Sequence, residues 1–466
     1  MTETVLIIGA GLAGLSAGSY LKAQGVKSIL LEARQRIGGR VWTDRSLDGV
    51  ALESGASWIH GMEGNHLALM ARDLEVEIAP TNYYSTPLTY RADGLRLATA
   101  ERRADHVRLE RLLDKLDRSR EELDRDMPLG LALKRAVAQM RLSPQQQRGF
   151  WHAVHTEIEQ DYATEVKNLS LWHWDEVEEY EGKHLVLPGG YDRLTKQLAR
   201  NLEIRLSHVV LGIQHGRRAV RVTTNQGVFV GDRVIITLPL SVLQTGAVKF
   251  SPPLPARKIS AIRNLRMGVL NKLHLVFPRQ FWPSKPDWIE YIGPRLGIWA
   301  EFFNHARYTG APILTAFNAG SHGQALERLP DEAIVAACMK VLRIMFGATA
   351  PDPVSFLVTR WASDRFAMGA YCHIPPGGSG EDLDALAEPV GGRLFFAGEA
   401  TSRTHYGTGH GALQSGVRAA LSALGHKFGD VFQAAPASSP GDSRRSGSSS
   451  RSRRLNLHSK EAADSL

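Results

Sequence analysis

The sequence predicts an α/β fold of two domains, and three observations carry that expectation. Its 466 residues exceed one ordinary domain. An apolar strand, a glycine-rich turn, a helix and a second apolar strand open the chain as a βαβ unit. Near residue 400 another strand passes through glycines into a small-residue helix. At 43% hydrophobic and 22% charged residues, the chain has enough apolar side chain for packed cores, which excludes disorder throughout.

The opening run Thr4 to Ile8 is β-branched and apolar, as a buried strand requires; a helical stretch runs to about Gln24, and Ser28 to Leu31 supplies the second strand. From about Ala98 to Met140, charged residues surround Val107, Leu109, Leu112, Leu113 and Leu116 at helical spacing, which suits an inserted helical subdomain. A β-rich region follows from Ile204 to Leu238, closed by Pro239. Strand-type runs recur from Asn271 to Phe317, a helix is expected from about Asp331 to Phe346, and the strand Arg393 to Phe396 leads through Gly398 and Glu399 to a helix beginning near Gly411. Residues 437–466 hold ten serines and five arginines with almost nothing apolar, and are expected to be a disordered tail.

A net charge of +8 raises nucleic acid or anionic membrane as partners, but its distribution argues otherwise. The tail alone carries +3, while residues 157–181 place nine carboxylates against the single base Lys167. Such a run is either a solvated face or the lining of a path for a cationic ligand. Two cysteines, Cys338 and Cys372, exclude a disulfide framework and a Cys-rich metal site, and no metal is expected. No apolar run approaches the ~20 residues of a membrane span, and the first residues leave no room for a signal peptide. The expected setting is cytoplasmic, with the peroxisome as an alternative, although Asp464-Ser465-Leu466 lacks the basic middle residue of a peroxisomal signal.

Gly9-x-Gly11-x-x-Gly14 lies between strand and helix, and Glu32 ends the next strand. In this Rossmann-like setting Gly9 allows the tight turn, Gly11 lets backbone approach a pyrophosphate, Gly14 lets helix and strand pack closely, and Glu32 accepts from ribose hydroxyls. Gly38-Gly39-Arg40 adds backbone and a guanidinium suited to the same pyrophosphate. The second glycine-rich helix entry, Gly407 to Ala412, would stabilise negative charge on the N1–C2=O edge of a reduced flavin, a need that nicotinamide does not have.

Val5 to Gly14, Glu32-Ala33-Arg34, Gly38-Gly39-Arg40, Gly55 to Gly61, Asn271-Lys272, Trp361, Gly369-Ala370-Tyr371 and Phe396 to Thr401 occur in the order found in the FAD-dependent amine oxidases. The resemblance runs to about Ala420 and is closest to the polyamine oxidase branch, through Gly-Ala-Ser-Trp-Ile-His-Gly at 55–61 and the closing His-Gly-Ala at 410–412. It implies a two-domain FAD-binding fold of the GR2 type. The FAD domain would be assembled from 1–80, 185–250 and 355–430, and a mixed-sheet and helical substrate domain from 81–184 and 251–354. FAD would be noncovalent, because Ala370 stands where monoamine oxidases carry the flavin-linked cysteine. Its implied contacts are Gly9, Gly11, Ala13, Gly14, Glu32, Ala33, Arg34, Gly39, Arg40, Gly55, Ala56, Ser57, Trp58, Val209, Trp361, Gly398, Glu399 and Gly409.

The implied chemistry oxidises an amine to an imine, hydrolysed to an aldehyde, with oxygen reduced to hydrogen peroxide. Lys272 would assist reoxidation of the flavin, Tyr371 would wall the amine, and His60 would hydrogen-bond it; Asp161, Tyr162 and Thr408 would line its path. A small polyamine such as spermine or spermidine is the expected substrate, with no nucleic acid or membrane required and the oligomeric state open. L-amino-acid or monoamine oxidation, histone lysine demethylation and a catalytically degenerate flavoprotein stand as alternatives.

Overall fold

The structure is a computed structural model that describes residues 3–47, 49–82, 87–120 and 122–426; the tail expected at 437–466 lies outside the described residues. The opening strand Thr4–Ile8 is the middle of a five-stranded parallel sheet in the order Leu394–Phe396, Arg233–Ile236, Thr4–Ile8, Lys27–Leu31, Glu203–Arg205. Val5 to Ile8 are buried, as a parallel strand covered on both faces demands. The helices Leu12–Ala23 and Gly409–Ala423 pack against each other, and a Cβ at Gly416 would stand 2.1 Å from the Ala13 carbonyl oxygen. Only glycine permits that approach.

A second, six-stranded sheet runs in the order Ser355–Val358, Leu270–Val276, Ile313–Ala319, Glu301–Asn304, Trp288–Ile292, Leu88–Arg91. Its pairs are antiparallel except the last, which is parallel. Alternation along these strands sends Leu273, Leu275, Phe302, Leu314 and Ala316 into a core with Ile334, Cys338, Met339 and Leu342 of the helix Asp331–Phe346. That helix has the bounds the sequence suggests. The opposite face carries Lys272, Phe317, Glu301 and Glu290, and looks into the cavity described below.

The charged stretch from residue 98 is helical in two pieces, Thr99–Arg120 and Leu129–Gln139, the second entered through Pro128. A third helix, Pro144–Val154, starts on a Ser143/Gln146 capping box and continues as a widened π-helical turn, His155–Glu159, which delivers Gln160, Asp161 and Tyr162 to the cavity. A four-stranded sheet, Gly227–Gly231, Val220–Thr224, Val210–His215 and Lys249–Ser251, accounts for most of the expected β-rich region. Among the described residues, no helix is long and apolar enough to cross a membrane.

Candidate active site

A cavity of about 1050 Å³ lies at the carboxyl ends of the parallel strands, where Gly9, Glu32, Thr237 and Gly398 each follow a strand, and extends to the six-stranded sheet. This is where an open α/β sheet offers its ligand site. Of the residues that the resemblance implies for cofactor, catalysis and substrate path, all line the cavity except Gly14. Gly14 instead sets a packing distance: a Cβ there would stand 2.0 Å from the Gly9 carbonyl oxygen.

At the nucleotide end Gly9 turns with φ +99°, and Gly11 caps the helix Leu12–Ala23 without a side-chain hydrogen bond, leaving the first-turn N–H groups to a ligand. Gly39 approaches so closely that a Cβ on it would lie 3.3 Å from the Gly11 Cα. The Glu32 carboxylate is buried and accepts from the Ala10 N–H at 2.7 Å and the Arg34 N–H at 2.9 Å, which fixes it beside the turn. Val209, Ala13 and Ala33 complete this wall. Ser54 Oγ and His410 Nε2 line the cavity, are buried, and have no hydrogen-bond partner among the described residues. These are polar atoms for a bound group to satisfy, so the lining fits a dinucleotide.

The two arginines are more constrained than their motifs imply. Arg34 makes two bonds to Asp364, at 2.7 and 2.8 Å, and stacks over Phe366. Arg40 donates through Nη1 to Glu399 at 2.8 Å and to the Ala370 carbonyl at 2.7 Å, while Glu399 accepts from the Gly407 N–H at 3.0 Å. This web ties the Gly38-Gly39-Arg40 loop to the segment carrying Tyr371 and to the entry of the second helix. Trp361 donates from its indole to the Ser54 carbonyl at 2.8 Å, which clamps the strand leading to Gly55, Ala56, Ser57 and Trp58. Gly409 begins the second helix, whose N-cap is Thr408: its hydroxyl accepts from the Gly411 N–H at 3.0 Å and donates to the His405 carbonyl. Thr408 therefore lines the cavity with a side chain already engaged in capping.

Lys272 lies on an interior strand and is only 5% exposed, so it is not a strand-edge lysine facing solvent. Its ammonium donates to the Glu53 carbonyl at 2.8 Å, to the Gly55 carbonyl and to Ser57 Oγ. Burial pushes its pKa down from the usual lysine value, opposed by the nearby Glu53. Glu53 is pushed up, again by burial, although the Tyr191 N–H, the Thr43 hydroxyl and Lys272 hold it down in part. Sequence reasoning passed over Glu53; a carboxylate just before the Gly-Ala-Ser-Trp motif was its only signal.

His60 approaches His184 at 3.2 Å between Nδ1 atoms. Tyr371 donates its hydroxyl to the Gln160 carbonyl at 2.9 Å, joining the loop after the π-helical turn to the opposite wall. Tyr162 is buried against Trp174, and Asp161 lines the cavity beside it. The acidic run divides. Glu159 holds the Val166 N–H and His155, Glu165 holds the Ser321 N–H, Asp175 pairs with Arg120, and Glu176 with Arg403. Glu157, Asp161, Glu178 and Glu179 line the cavity, but Glu157 is engaged by Arg102 and His106. Two further cavity acids, Glu290 and Glu301, come from the six-stranded sheet and were not foreseen. Among the described residues, no group of His, Cys, Asp and Glu is arranged to hold a metal ion.

Residues 12–424 match the family described as flavin containing amine oxidoreductase. The chain is 38% identical over 444 residues, 91% of its length, to lysine-specific histone demethylase 1 homolog 3 of Oryza sativa subsp. japonica, and 37% identical over 438 residues, 90% of its length, to protein FLOWERING LOCUS D of Arabidopsis thaliana. It spans 54% and 55% of those two proteins, about half the length of the curated relatives it matches. Two solved structures of putrescine oxidase variants, redesigned in cofactor binding, superpose with TM-scores of 0.74 and 0.75 over 91% of this chain at 19% identity, a likeness of fold. The family expected from sequence is thereby shown, while the names of these relatives, demethylase homologs and FLOWERING LOCUS D, do not support its polyamine oxidase branch.

Proposed function

Because the chain belongs to the family of flavin containing amine oxidoreductases and takes FAD as its cofactor, we propose that it oxidises the C–N bond of N-methylated lysine side chains in peptides. The observation that carries this reading is the 38% identity to a lysine-specific histone demethylase homolog across 91% of the chain. Bound FAD would supply a hydride acceptor for the amine α-carbon and a route for the electrons to oxygen, with hydrogen peroxide as the product. The oxidised amine is an imine, which water hydrolyses to formaldehyde and the demethylated lysine.

The chain's residues position and desolvate the amine. Tyr371, held by the Gln160 carbonyl, forms one wall; Trp58, Trp288 and Phe317 form an apolar cluster on another, with Trp58 and Trp288 stacked at 5.5 Å between centroids. Oxidation needs a neutral amine, and His60 beside His184 is the polar pair at which that nitrogen can lose its proton. Lys272, buried in the cavity wall, assists reaction with oxygen. Gly9, Gly11, Gly39, Glu32 and the two helix N-termini would hold the dinucleotide, with Arg40 and Glu399 fixing the loops around it.

Oxidation of a free polyamine is the second reading, favoured by Asp161, Glu178 and Glu179 on the cavity wall. Incubating the FAD-loaded protein with mono- and dimethyl-lysine peptides and, separately, with spermidine and spermine decides between them. Formaldehyde and peroxide from the peptides support the main reading, whereas peroxide from polyamines alone supports the second.

A further inference from the structure

Past Lys272, the same face of the six-stranded sheet carries a buried polar chain. His274 lies two residues farther along the strand Leu270–Val276, so its side chain leaves on the same side as that of Lys272. Thr315 is directly opposite His274 on the neighbouring strand. His305 follows the strand Glu301–Asn304 and is held there by its N–H to the Ile313 carbonyl at 3.1 Å. His274 and Thr315 are each 1% exposed, whereas His305 is partly exposed. The Thr315 hydroxyl oxygen lies 2.7 Å from His274 Nδ1 and 2.7 Å from His305 Nε2. None of the three lines the cavity. Burying polar groups in a row is costly unless they bond to one another, as these do.

Burial pushes the His274 pKa well down, helped by His305 and Lys272 and opposed by the Glu53 backbone. Burial likewise pushes His305 down to about 3, helped by Lys272. Both rings are therefore neutral at neutral pH, each with one N–H and one lone pair. The Thr315 hydroxyl has a single proton, so it donates to one ring and accepts from the other. The two rings then share a tautomer, both protonated on Nε2 or both on Nδ1. Passage of one proton converts the first arrangement into the second. A proton arrives at His305 Nδ1, the His305 Nε2 proton moves to Thr315, the Thr315 proton moves to His274 Nδ1, and the His274 Nε2 proton leaves. Every member is neutral before and after. The inner end adjoins Lys272: its charge acts on both rings, and the Glu53 backbone that acts on His274 also accepts from the Lys272 ammonium at 2.8 Å.

We propose that His305, Thr315 and His274 are a proton relay that resupplies Lys272 from the partly exposed side of the sheet, acting through Lys272 rather than on the reacting atoms. This rests on the reading of the protein as an oxygen-using amine oxidoreductase in which Lys272 assists reaction with oxygen. Oxygen becomes hydrogen peroxide by gaining two electrons and two protons. Both electrons and one proton come with the reduced cofactor, and the second proton comes from Lys272, whose amine stays neutral until the relay returns a proton. Lys272 is 5% exposed, and a filled cavity closes its remaining approach to water, so a route through the sheet has a use.

The test starts from FAD-loaded protein reduced with dithionite, which needs no amine substrate. On mixing with oxygen in stopped flow, Thr315→Val, which removes the hydroxyl at nearly constant volume, should reoxidise about tenfold or more slowly than wild type. Thr315→Ser should recover most of the rate, and in a Lys272→Met background Thr315→Val should cause no further loss. If Thr315→Val does not fold, His305→Gln at the partly exposed end is expected to show the same slowing. A second readout is nitrogen NMR of the oxidised, FAD-loaded protein with labelled histidine: His274 and His305 should share a tautomer, and Thr315→Val should uncouple them. Wild-type reoxidation in Thr315→Val, an equal loss in Thr315→Ser, or different tautomers in the two rings overturns the proposal. Protein that reoxidises as expected after dithionite but is reduced by no amine keeps the relay and overturns the amine-oxidation reading.

Discussion

Gly14→Ala is the sharpest perturbation of the cofactor site. The added methyl would stand 2.0 Å from the Gly9 carbonyl oxygen and 3.0 Å from its carbon. Ordinary contact begins at 3.4 Å, so the helix Leu12–Ala23 has to withdraw by about 1.4 Å from the turn that it closes. The contact is backbone, so no rotamer change relieves it. Overpacking of this kind costs about 1–3 kcal/mol. The shift also carries the first-turn N–H groups away from the pyrophosphate position, and each 1.4 kcal/mol lost there weakens binding tenfold. Thermal unfolding and FAD retention on gel filtration are the assays, with Gly216→Ala as control because a Cβ at Gly216 meets nothing within 4 Å. Gly14→Ala is expected to melt several degrees lower and to lose FAD at least tenfold more readily, with Gly216→Ala matching wild type. A Gly14→Ala protein that keeps FAD and its melting temperature would refute the geometric reading of the turn.

Glu32→Gln replaces an acceptor of two backbone N–H groups with a side chain that offers one good acceptor, and should weaken FAD binding about tenfold, read as the flavin dissociation constant. Lys272→Met should fold and hold FAD but slow flavin reoxidation by oxygen about 10²-fold in stopped flow; unchanged reoxidation would remove Lys272 from its proposed role. Glu290→Gln leaves the Arg102 guanidinium buried with only Glu157 at 3.4 Å as anionic partner among the described residues, and should cost about 3–5 kcal/mol by denaturant unfolding at neutral pH. Burial raises the Glu290 pKa, but Arg102 and His152 more than offset it, so its folded pKa lies below the ordinary carboxylate value. The stability it contributes is therefore present above that ordinary value and is lost as pH falls toward the folded one; the gap between wild type and Glu290→Gln should close in acid.

What the sequence disclosed was mostly local. Gly9, Gly11, Gly14 and Glu32 declare themselves because a tight turn, a close approach and a strand-end carboxylate are set by neighbours in the chain, and the helix Asp331–Phe346 follows from its own periodicity. Lys272 was recognisable only through family resemblance; in isolation it is a lysine interrupting an apolar strand. Arg34 is a cofactor contact only through the family resemblance, and its partner Asp364 lies 330 residues away. The acidic run showed charge but not commitment: nothing in its composition reveals that Glu159, Glu165, Asp175 and Glu176 are engaged by nearby backbone groups, histidines and arginines. Glu290 and Glu301 escaped notice because each is a lone acid in an apolar strand, and only cross-strand register puts them in one row with Lys272.

Anaerobic mixing of the FAD-loaded protein with a dimethyl-lysine peptide decides whether this cavity oxidises amines. Bleaching of the oxidised flavin absorbance, followed by formaldehyde release and recovery of the absorbance when oxygen is admitted, is the predicted result. A flavin that dithionite reduces but that stays oxidised with methylated peptides and with every polyamine would contradict it.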